Sequence, residues 1–184
     1  ECAGIGEPAI IFDAGLQDGA WKPARLAAEL SAVTRVCFYD RPNTQNGRSD
    51  PVLAARTSQD IVNDLDALLA VAGVQPPWIL VGHGFGGMNM ALFAAQHTDQ
   101  VTGLILMDPL PPNTIERWMM MLQYREMTGA PTAYDRPIAE LVHGATENID
   151  LAASTEQLRG MAGLGRMPVR LIAASRPLDG WAAI

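Results

Sequence analysis

The residues of this sequence that are arranged for chemistry lie in a glycine-rich turn, Gly82-His83-Gly84-Phe85-Gly86, with Gly87 directly after it. An apolar segment precedes the turn and a helix-forming segment follows it, as in a nucleophile elbow of the pattern G-x-S-x-G. In such an elbow the flanking residues must be small, because the turn is sharp and holds the nucleophile's side chain exposed. Both flanking glycines are present here, but the central residue is Gly84 instead of serine. The spacing therefore predicts an elbow whose nucleophile position carries no side chain.

A glycine-rich turn between a strand and a helix is also typical of phosphate-binding loops. No Lys-Ser or Lys-Thr pair follows the turn, and no acidic residue lies at the spacing that dinucleotide-binding folds use. The two cysteines, Cys2 and Cys37, form no metal-type cluster. The sequence therefore predicts no nucleotide cofactor and no metal ion.

Short apolar segments alternate with amphipathic segments along most of the chain. Strands are expected at Ala9–Phe12, Thr34–Tyr39, Trp78–Val81, Val101–Met107 and Val169–Ala174, and helices at Trp21–Leu30 and Met88–Gln96. Continuous apolar strands between helices indicate a mostly parallel sheet that is covered by helices on both faces. The predicted fold class is therefore α/β, with residues 1–184 forming a single domain.

Two capping-box patterns mark further helices. Thr57 and Asp60 form the first one, apolar residues follow at helical spacing, and Gly73 stands where a helix commonly ends. Ser154 and Gln157 form the second pattern, which predicts a short helix that runs to Met161.

The regular alternation is lost after Pro109. Residues 110–153 begin with a Leu-Pro-Pro break and contain one predicted helix, Ile115–Glu126. This pattern predicts a cap or lid insertion and not further sheet. The Met119–Met121 run within it would either line an apolar pocket or form the cap's own small core.

The segments around the turn resemble the α/β-hydrolase superfamily, in particular its secreted esterase-like members from actinobacteria. Six stretches follow the family's order: Cys2–Pro8, Asp13–Leu16, Arg35–Pro42, Arg48–Pro51, Leu80–His83 and Leu104–Asp108. The resemblance covers nearly the whole chain and is strong from residue 2 to about residue 112. It implies an α/β-hydrolase fold with a cap insertion, incomplete at its C-terminus.

The resemblance also implies a role for each position of a serine-hydrolase site. Serine would occupy position 84, where this chain has Gly84. Backbone N–H groups of Leu16 and Phe85 would form the oxyanion hole, the pair of donors that stabilises negative charge on a reacting carbonyl oxygen. Both donors exist here, because a backbone N–H does not depend on the side chain.

The acid and the base of such a site would follow late strands. Asp108, after Val101–Met107, and Asp179, after Val169–Ala174, are the two candidate acids, and Asp108 is equally well explained as a helix cap or loop anchor. The histidine base would follow one more strand, and we expect this chain to end before it. None of the three histidines is expected to replace it: His83 should pack beside the oxyanion-hole loop, His97 should be exposed at a helix end, and His143 lies in the cap.

The resemblance further implies that Cys2 and Cys37 are close together. In the family's strand order the strand near Cys2 lies beside the strand that holds Cys37, and both cysteines occur in its secreted members. A disulfide would indicate an extracytoplasmic or secreted protein, whereas two unpaired, small hydrophobic side chains would be compatible with the cytoplasm. The chain begins at Glu1 instead of Met, so we expect it to be a processed or cut product.

The composition is that of a folded domain, with 48% hydrophobic and 18% charged residues. The formal net charge of −7 argues against binding to nucleic acid or anionic lipid. No apolar run reaches the roughly 18 residues of a membrane span. The partner that we expect is a small apolar or ester-type ligand; the sequence does not indicate an oligomeric state.

Two functional hypotheses follow. The chain is either an altered or shortened form of an ester- or acyl-bond hydrolase, or a natural non-catalytic relative that binds a small apolar ligand or a protein partner. Glycine at the nucleophile position is known in non-enzymatic members of the superfamily. Loss of the nucleophile from a comparable triad costs about 10⁶ in turnover, so the chain as written is expected to be inactive or strongly impaired.

Overall fold

The computed structural model describes residues 1–16, 18, 24–44, 49–111, 113, 120, 127–128 and 147–173. Most of the expected cap lies outside these residues, as do His143 and Asp179. The predicted helix Ile115–Glu126 and the Met119–Met121 run also lie outside them, apart from Met120. For these segments the sequence-based expectations remain predictions.

The described part of the chain forms one six-stranded sheet. Its strands are β1 (Cys2–Ala3), β2 (Ala9–Asp13), β3 (Val36–Phe38), β4 (Trp78–His83), β5 (Val101–Met107) and β6 (Val169–Ile172). Their order in the sheet is β1-β3-β2-β4-β5-β6. The pairings from β3 to β6 are parallel, and β1 pairs antiparallel with β3. The prediction of a mostly parallel α/β sheet is confirmed.

Four helices are described alongside this sheet: α1 (Ala24–Ser31), α2 (Ser58–Val71), α3 (Phe85–Gln96) and α4 (Leu151–Arg159). Side chains alternate between the two faces of β2. Ile11 packs with α2 and α3 on one face, whereas Ile10 and Phe12 pack with Leu26 of α1 on the other. Helices therefore cover both faces, as the continuous apolar strands predict.

The capping box at α2 is confirmed. Thr57 is the N-cap, its side chain accepts a hydrogen bond from the Asp60 amide, and the Asp60 carboxylate accepts one from the Thr57 amide. Gly73 follows the helix with φ 65°.

The second capping box is wrong. α4 begins at Leu151 with Asp150 as its N-cap, and it ends at Arg159. Ser154 lies inside the helix, where its hydroxyl donates to the Asp150 carbonyl and accepts from the Ser58 amide of α2. Gln157 accepts a hydrogen bond from the Gln59 amide. These two side chains therefore bind the N-terminus of α2. A pattern within residues 154–157 cannot predict this contact, because α2 is distant in the sequence.

The predicted disulfide is present. Cys2 and Cys37 lie directly opposite each other in the β1–β3 pair, with their Cα atoms 4.1 Å apart, and their sulfurs are bonded. The bridge joins the edge strand β1 to its neighbour β3.

The strand order reverses beside β2. The chain leaves β2 toward β3 on one side, whereas it leaves β4 toward β5 on the other side. β2 and β4 are parallel neighbours, with Asp13 paired to Gly82 at their carboxyl ends. In open α/β sheets ligands bind at such a topological switch point. The predicted oxyanion loop, Asp13–Leu16, and the predicted elbow both begin there.

Candidate active site

The turn between β4 and α3 has the geometry of a nucleophile elbow. β4 ends at His83 and α3 begins at Phe85, so that Gly84 alone makes the turn. Gly84 has φ 52° and ψ −117°, a backbone conformation that residues with a side chain rarely adopt. A positive φ at this residue agrees with the strained turn of a nucleophile elbow. A Cβ on Gly84 would still fit, since its nearest neighbour, the Gly15 Cα, would be 3.5 Å away.

The flanking glycines permit close backbone contacts. A Cβ on Gly86 would lie 2.3 Å from the Asp13 carbonyl oxygen and 2.5 Å from that of Ala14. A Cβ on Gly82 would lie 2.5 Å from the Gly86 carbonyl oxygen. The start of α3 therefore packs directly on the loop that follows β2, as the small-residue pattern predicts.

Backbone hydrogen bonds hold the elbow to the end of β5. The Gly84 amide donates to the Met107 carbonyl at 3.0 Å, and the Gly84 carbonyl accepts from the Leu110 amide at 3.1 Å. Asp108, the first candidate acid, follows Met107 at this edge of the sheet; it is exposed and has φ 41°. Its amide donates to the Ile172 carbonyl of β6. Asp108 thus lies close to the elbow in the chain trace, and its role as the acid stays a prediction.

Leu16 and Phe85, the predicted oxyanion-hole residues, lie on the two sides of this contact. The Phe85 N–H is the first of α3 and has no acceptor within the helix, as holds for every helix N-terminus. Leu16 ends the loop Asp13–Leu16 that covers the elbow, and it packs in the same apolar cluster as Phe85. The structure brings both residues to the elbow, where the helix dipole also favours negative charge.

A buried ionic cluster lies beneath the oxyanion loop. The Arg41 guanidinium, in the loop after β3, binds both Asp13 and Glu147, and the exposed fractions of these side chains are 2%, 0% and 0%. Asn89 of α3 donates to the second oxygen of Asp13 at 2.8 Å. The cluster thus joins β2, the loop after β3, α3 and the segment that precedes α4.

Burial and the neighbouring charges shift the pKa values of Arg41 and Tyr39. Burial by itself would lower the pKa of Arg41, but Asp13 and Glu147 outweigh that effect and raise this pKa above its ordinary value. Burial, together with the negative charge of Asp13, raises the pKa of Tyr39 well above its usual 10.0. Arg41 is therefore a cation and Tyr39 is neutral throughout the pH range in which proteins are stable.

A family model described as the alpha/beta hydrolase fold matches residues 8–161. This chain belongs to the α/β-hydrolase fold family. The match extends from β2 to β5 and includes the elbow and α4, and it agrees with the structural neighbours. Its superposition on a monoacylglycerol lipase from Paleococcus ferrophilus covers 94% of this chain and 76% of the lipase, with a TM-score of 0.62 and 15% identity. The superposition on an esterase from Thermogutta terrifontis covers 94% of this chain and 73% of the esterase, with a TM-score of 0.62 and 19% identity.

Similarity in sequence to curated proteins is confined to part of their length. The uncharacterized protein YqjL of Bacillus subtilis is 33% identical over 102 residues, which is 54% of this chain and 39% of YqjL. The chain thus spans about two fifths of that relative. At their level of identity the solved structures establish the fold of this α/β-hydrolase and not its substrate.

The two histidines in the described part of this α/β-hydrolase, His83 and His97, lie at different edges of the sheet. His83 lies beside the oxyanion loop, as predicted, with its Nδ1 3.2 Å from Asp18 Oδ2. His97 follows the far end of α3, where its ring stacks on Phe93 with centroids 4.2 Å apart. The expectation that His97 is exposed is wrong, because this packing leaves 18% of the side chain exposed. α3 runs antiparallel to the strands, so His97 is at the edge opposite to the elbow.

The sequence patterns predict no role for Arg41, Asp13, Asn89 or Glu147. The sequence does contain a signal for the pair of Arg41 and Asp13. Asp13 ends the buried strand β2 and Arg41 follows the buried strand β3, and because these strands are parallel neighbours, the opposite charges lie at the same edge of the sheet. Glu147 has no such signal, because it lies within the expected cap, residues 110–153, far along the chain from Arg41. The described residues contain no group of three or more acidic, histidine or cysteine side chains that could hold a metal ion.

No helix among the described residues is long and apolar enough to cross a membrane. Taken together, the described site has the N-terminus of α3 at Phe85, the loop that carries Leu16 packed beside it, and a glycine at the position from which a nucleophile would attack. Such an arrangement can bind and polarise a carbonyl or an oxyanion. It cannot form a covalent acyl intermediate at residue 84, since Gly84 has no side chain.

Proposed function

We propose that this chain carries the substrate-binding and oxyanion-stabilising part of an ester- or acyl-bond hydrolase site, and that with Gly84 it is inactive or strongly impaired. The observation that supports this proposal is the elbow itself. It keeps the positive φ and the close-packed glycines of an elbow, although residue 84 offers no nucleophile. A turn of this geometry serves attack on a carbonyl.

Further support comes from the preserved surroundings of position 84. A Cβ would fit there without steric conflict, and Leu16 packs against the apolar cluster that contains Phe85. The similar solved structures include a protein named as a monoacylglycerol lipase and one named as an esterase. These features favour a small ester- or acyl-type ligand with an apolar part.

The first test is covalent labelling of the purified chain with a fluorophosphonate probe, which requires an activated serine. We expect no labelling, and we expect turnover of p-nitrophenyl butyrate to stay at a weak background, because removal of the nucleophile from a triad costs about 10⁶ in turnover. Stoichiometric labelling of any serine would overturn the proposal.

The variant Gly84→Ser separates loss of the nucleophile from loss of the base. Among the described residues, His83 is the histidine near position 84, and it contacts Asp18. We therefore expect Gly84→Ser alone to leave turnover at background, with Gly163→Ser as the control for adding a serine elsewhere. Recovery of activity would show that His83, or His143 outside the described residues, serves as the base.

The alternative is a non-catalytic protein that uses the same pocket for a small apolar ligand or for a protein partner. Gly84 favours it, because a binding site gains nothing from a nucleophile. Binding of the inert ether butyl 4-nitrophenyl ether with an affinity equal to that of an ester of the same size would support this alternative. Stronger binding of the ester would favour a retained oxyanion hole.

A further inference from the structure

Arg41 contacts the backbone of the oxyanion loop directly. Its Nη1 donates to the Ala14 carbonyl at 2.7 Å, and its Nη2 donates to the Gly15 carbonyl, also at 2.7 Å. Both contacts lie in the loop that carries the Leu16 amide, the donor expected from this side of the site. The other hydrogen bonds of the guanidinium go to Asp13 and Glu147.

The direction of the Leu16 amide follows from the second of these contacts. The peptide unit that joins Gly15 to Leu16 is planar, and in a trans peptide the carbonyl and the N–H point in opposite directions. A Gly15 carbonyl that is held on Arg41 therefore turns the Leu16 N–H away from the ionic cluster. In the same way, the Ala14 carbonyl on Arg41 sets the direction of the Gly15 N–H.

Arg41 also contacts the residue that carries the other donor. Its guanidinium carbon lies 5.4 Å from the centroid of the Phe85 ring, within the range of a cation–π contact. The Phe85 side chain is fully buried. One side chain therefore contacts both the loop of Leu16 and the first residue of α3.

The guanidinium uses all of its hydrogen-bonding capacity in this position. Nε and Nη2 donate to the two oxygens of Glu147, at 2.8 and 2.9 Å, and Nη1 donates to Asp13. Together with the carbonyls of Ala14 and Gly15, these acceptors match the five N–H donors of an arginine. A lysine has three donors on a single atom and cannot reproduce the planar arrangement.

We propose that Arg41 is a positioning residue that sets the direction of the oxyanion-hole amide of Leu16, and that Asp13 and Glu147 fix its guanidinium for this purpose. This inference rests on the proposed function for the identity of the donor, whereas the contact itself is a property of the fold. Glu147 precedes α4, so the oxyanion loop is also bound, through Arg41, to the last part of the expected cap, residues 110–153.

The direct test measures the orientation of the Leu16 N–H bond by residual dipolar couplings in the 184-residue chain. In Arg41→Lys we expect the couplings of β2 and β4 to stay unchanged while those of Gly15 and Leu16 change. The control is Arg25→Lys, whose side chain is 93% exposed. Unchanged couplings at Leu16 in a folded Arg41→Lys variant would overturn the inference.

A second variant keeps the inference testable if Arg41→Lys does not fold. Glu147→Gln retains the shape of the side chain but removes the charge that holds Nε and Nη2. We expect faster amide hydrogen exchange and lower backbone order parameters at Gly15 and Leu16, with β2 unaffected. If both residues remain as ordered as in the parent chain, the carboxylate does not fix Arg41 for this role.

Ligand binding separates this inference from the proposed function. The probe is the anion of 4-nitrophenyl butylphosphonate, whose tetrahedral oxygens resemble those of an acyl-transfer intermediate. We expect Arg41→Lys to weaken its binding about tenfold or more, as expected for hydrogen bonds to a charged group, and to leave binding of butyl 4-nitrophenyl ether unchanged. Equal weakening for both compounds would indicate a merely structural role. If the parent chain does not bind the phosphonate at all, the proposed function fails, while the dipolar couplings still decide the role of Arg41.

Discussion

At the scale of single residues, position 84 combines the backbone conformation of an elbow with an absent side chain. Its φ of 52° and ψ of −117° cost a residue with a Cβ about 1–3 kcal/mol, and glycine avoids that cost. An elbow with serine accepts the strain because the exposed hydroxyl is needed for attack. Gly84 therefore removes the strain together with the chemistry, and the backbone still has the elbow conformation.

Gly84→Ser is accordingly expected to lower the free energy of unfolding by about 1–3 kcal/mol, less roughly 0.4–1 kcal/mol from restriction of the unfolded chain. The measurement is urea denaturation of the two chains. Gly163→Ser is the matched control, because a Cβ on Gly163 would meet nothing within 4 Å and its φ is not positive. A Gly84→Ser chain that is more stable than its parent would contradict the conformation described here.

Gly86 is restricted by its neighbours and not by its own conformation. In Gly86→Ala the new methyl group would meet the carbonyl oxygens of Asp13 and Ala14, at 2.3 and 2.5 Å, and both belong to backbone that cannot rotate away. We expect a loss of roughly 1–3 kcal/mol or more, measured by urea denaturation. Gly103→Ala is the control, since its Cβ would lie at an ordinary 3.8 Å from Ile79. Equal effects of the two substitutions would show that α3 does not press on the oxyanion loop.

At the scale of elements, α2 shows how local chemistry fixes a helix end. The Asp60 carboxylate accepts hydrogen bonds from the Thr57 amide and from its hydroxyl, and these bonds hold the pKa of Asp60 below its usual 3.8. A carboxyl whose pKa is lower in the folded state stabilises the fold above its unfolded pKa. That contribution is lost as the pH falls through the folded pKa.

Asp60→Asn should therefore destabilise the chain near pH 6, and its difference from the parent should shrink as the pH falls below about 3.8. The measurement is the urea midpoint of each chain at a series of pH values between 6 and 3. Asp99→Asn removes the same charge from an exposed turn and serves as the control. A difference that stays constant over this range would show that the carboxylate's charge does not contribute to the cap.

The elements also show where local patterns stop being sufficient. The side chains of Thr57 and Asp60 accept hydrogen bonds from each other's backbone amides, so the local sequence is sufficient to predict this cap. The Ser154 and Gln157 pattern is equally good locally, but their side chains bond to Ser58 and Gln59 of α2. Tertiary contacts thus determine where α4 begins.

At the scale of the whole molecule, the parallel sheet follows from continuous apolar strands, and the elbow follows from the small residues that a sharp turn needs. The ionic cluster around Arg41 does not follow in the same way. Its members come from β2, the loop after β3, α3 and the segment before α4, so that only the folded chain brings them together. The glycines of the candidate site could therefore be predicted from the sequence, but the residues that hold the neighbouring loop in place could not.

The disulfide between Cys2 and Cys37 is a covalent contact between residues that are distant in the sequence. β1 has two residues and pairs with β3 at the edge of the sheet, so noncovalent contacts hold it weakly. The bridge closes a loop between residues 35 positions apart. In the chain-entropy model, closing a loop of that length stabilises a protein by about 3–4 kcal/mol. Because such bonds persist in oxidising compartments, we propose that this protein functions outside the cytoplasm.

The double variant Cys2→Ser/Cys37→Ala tests this contribution, with alanine chosen for the buried Cys37. Urea denaturation should show a loss of up to about 3–4 kcal/mol in the free energy of unfolding. Dithiothreitol should bring the parent chain close to the double variant and leave the double variant itself unchanged, which separates the bridge from effects of the new side chains. If the oxidised parent contains two free thiols by mass, or unfolds at the same urea concentration with and without reductant, the bridge does not stabilise the fold. The argument for an oxidising compartment would then be lost as well.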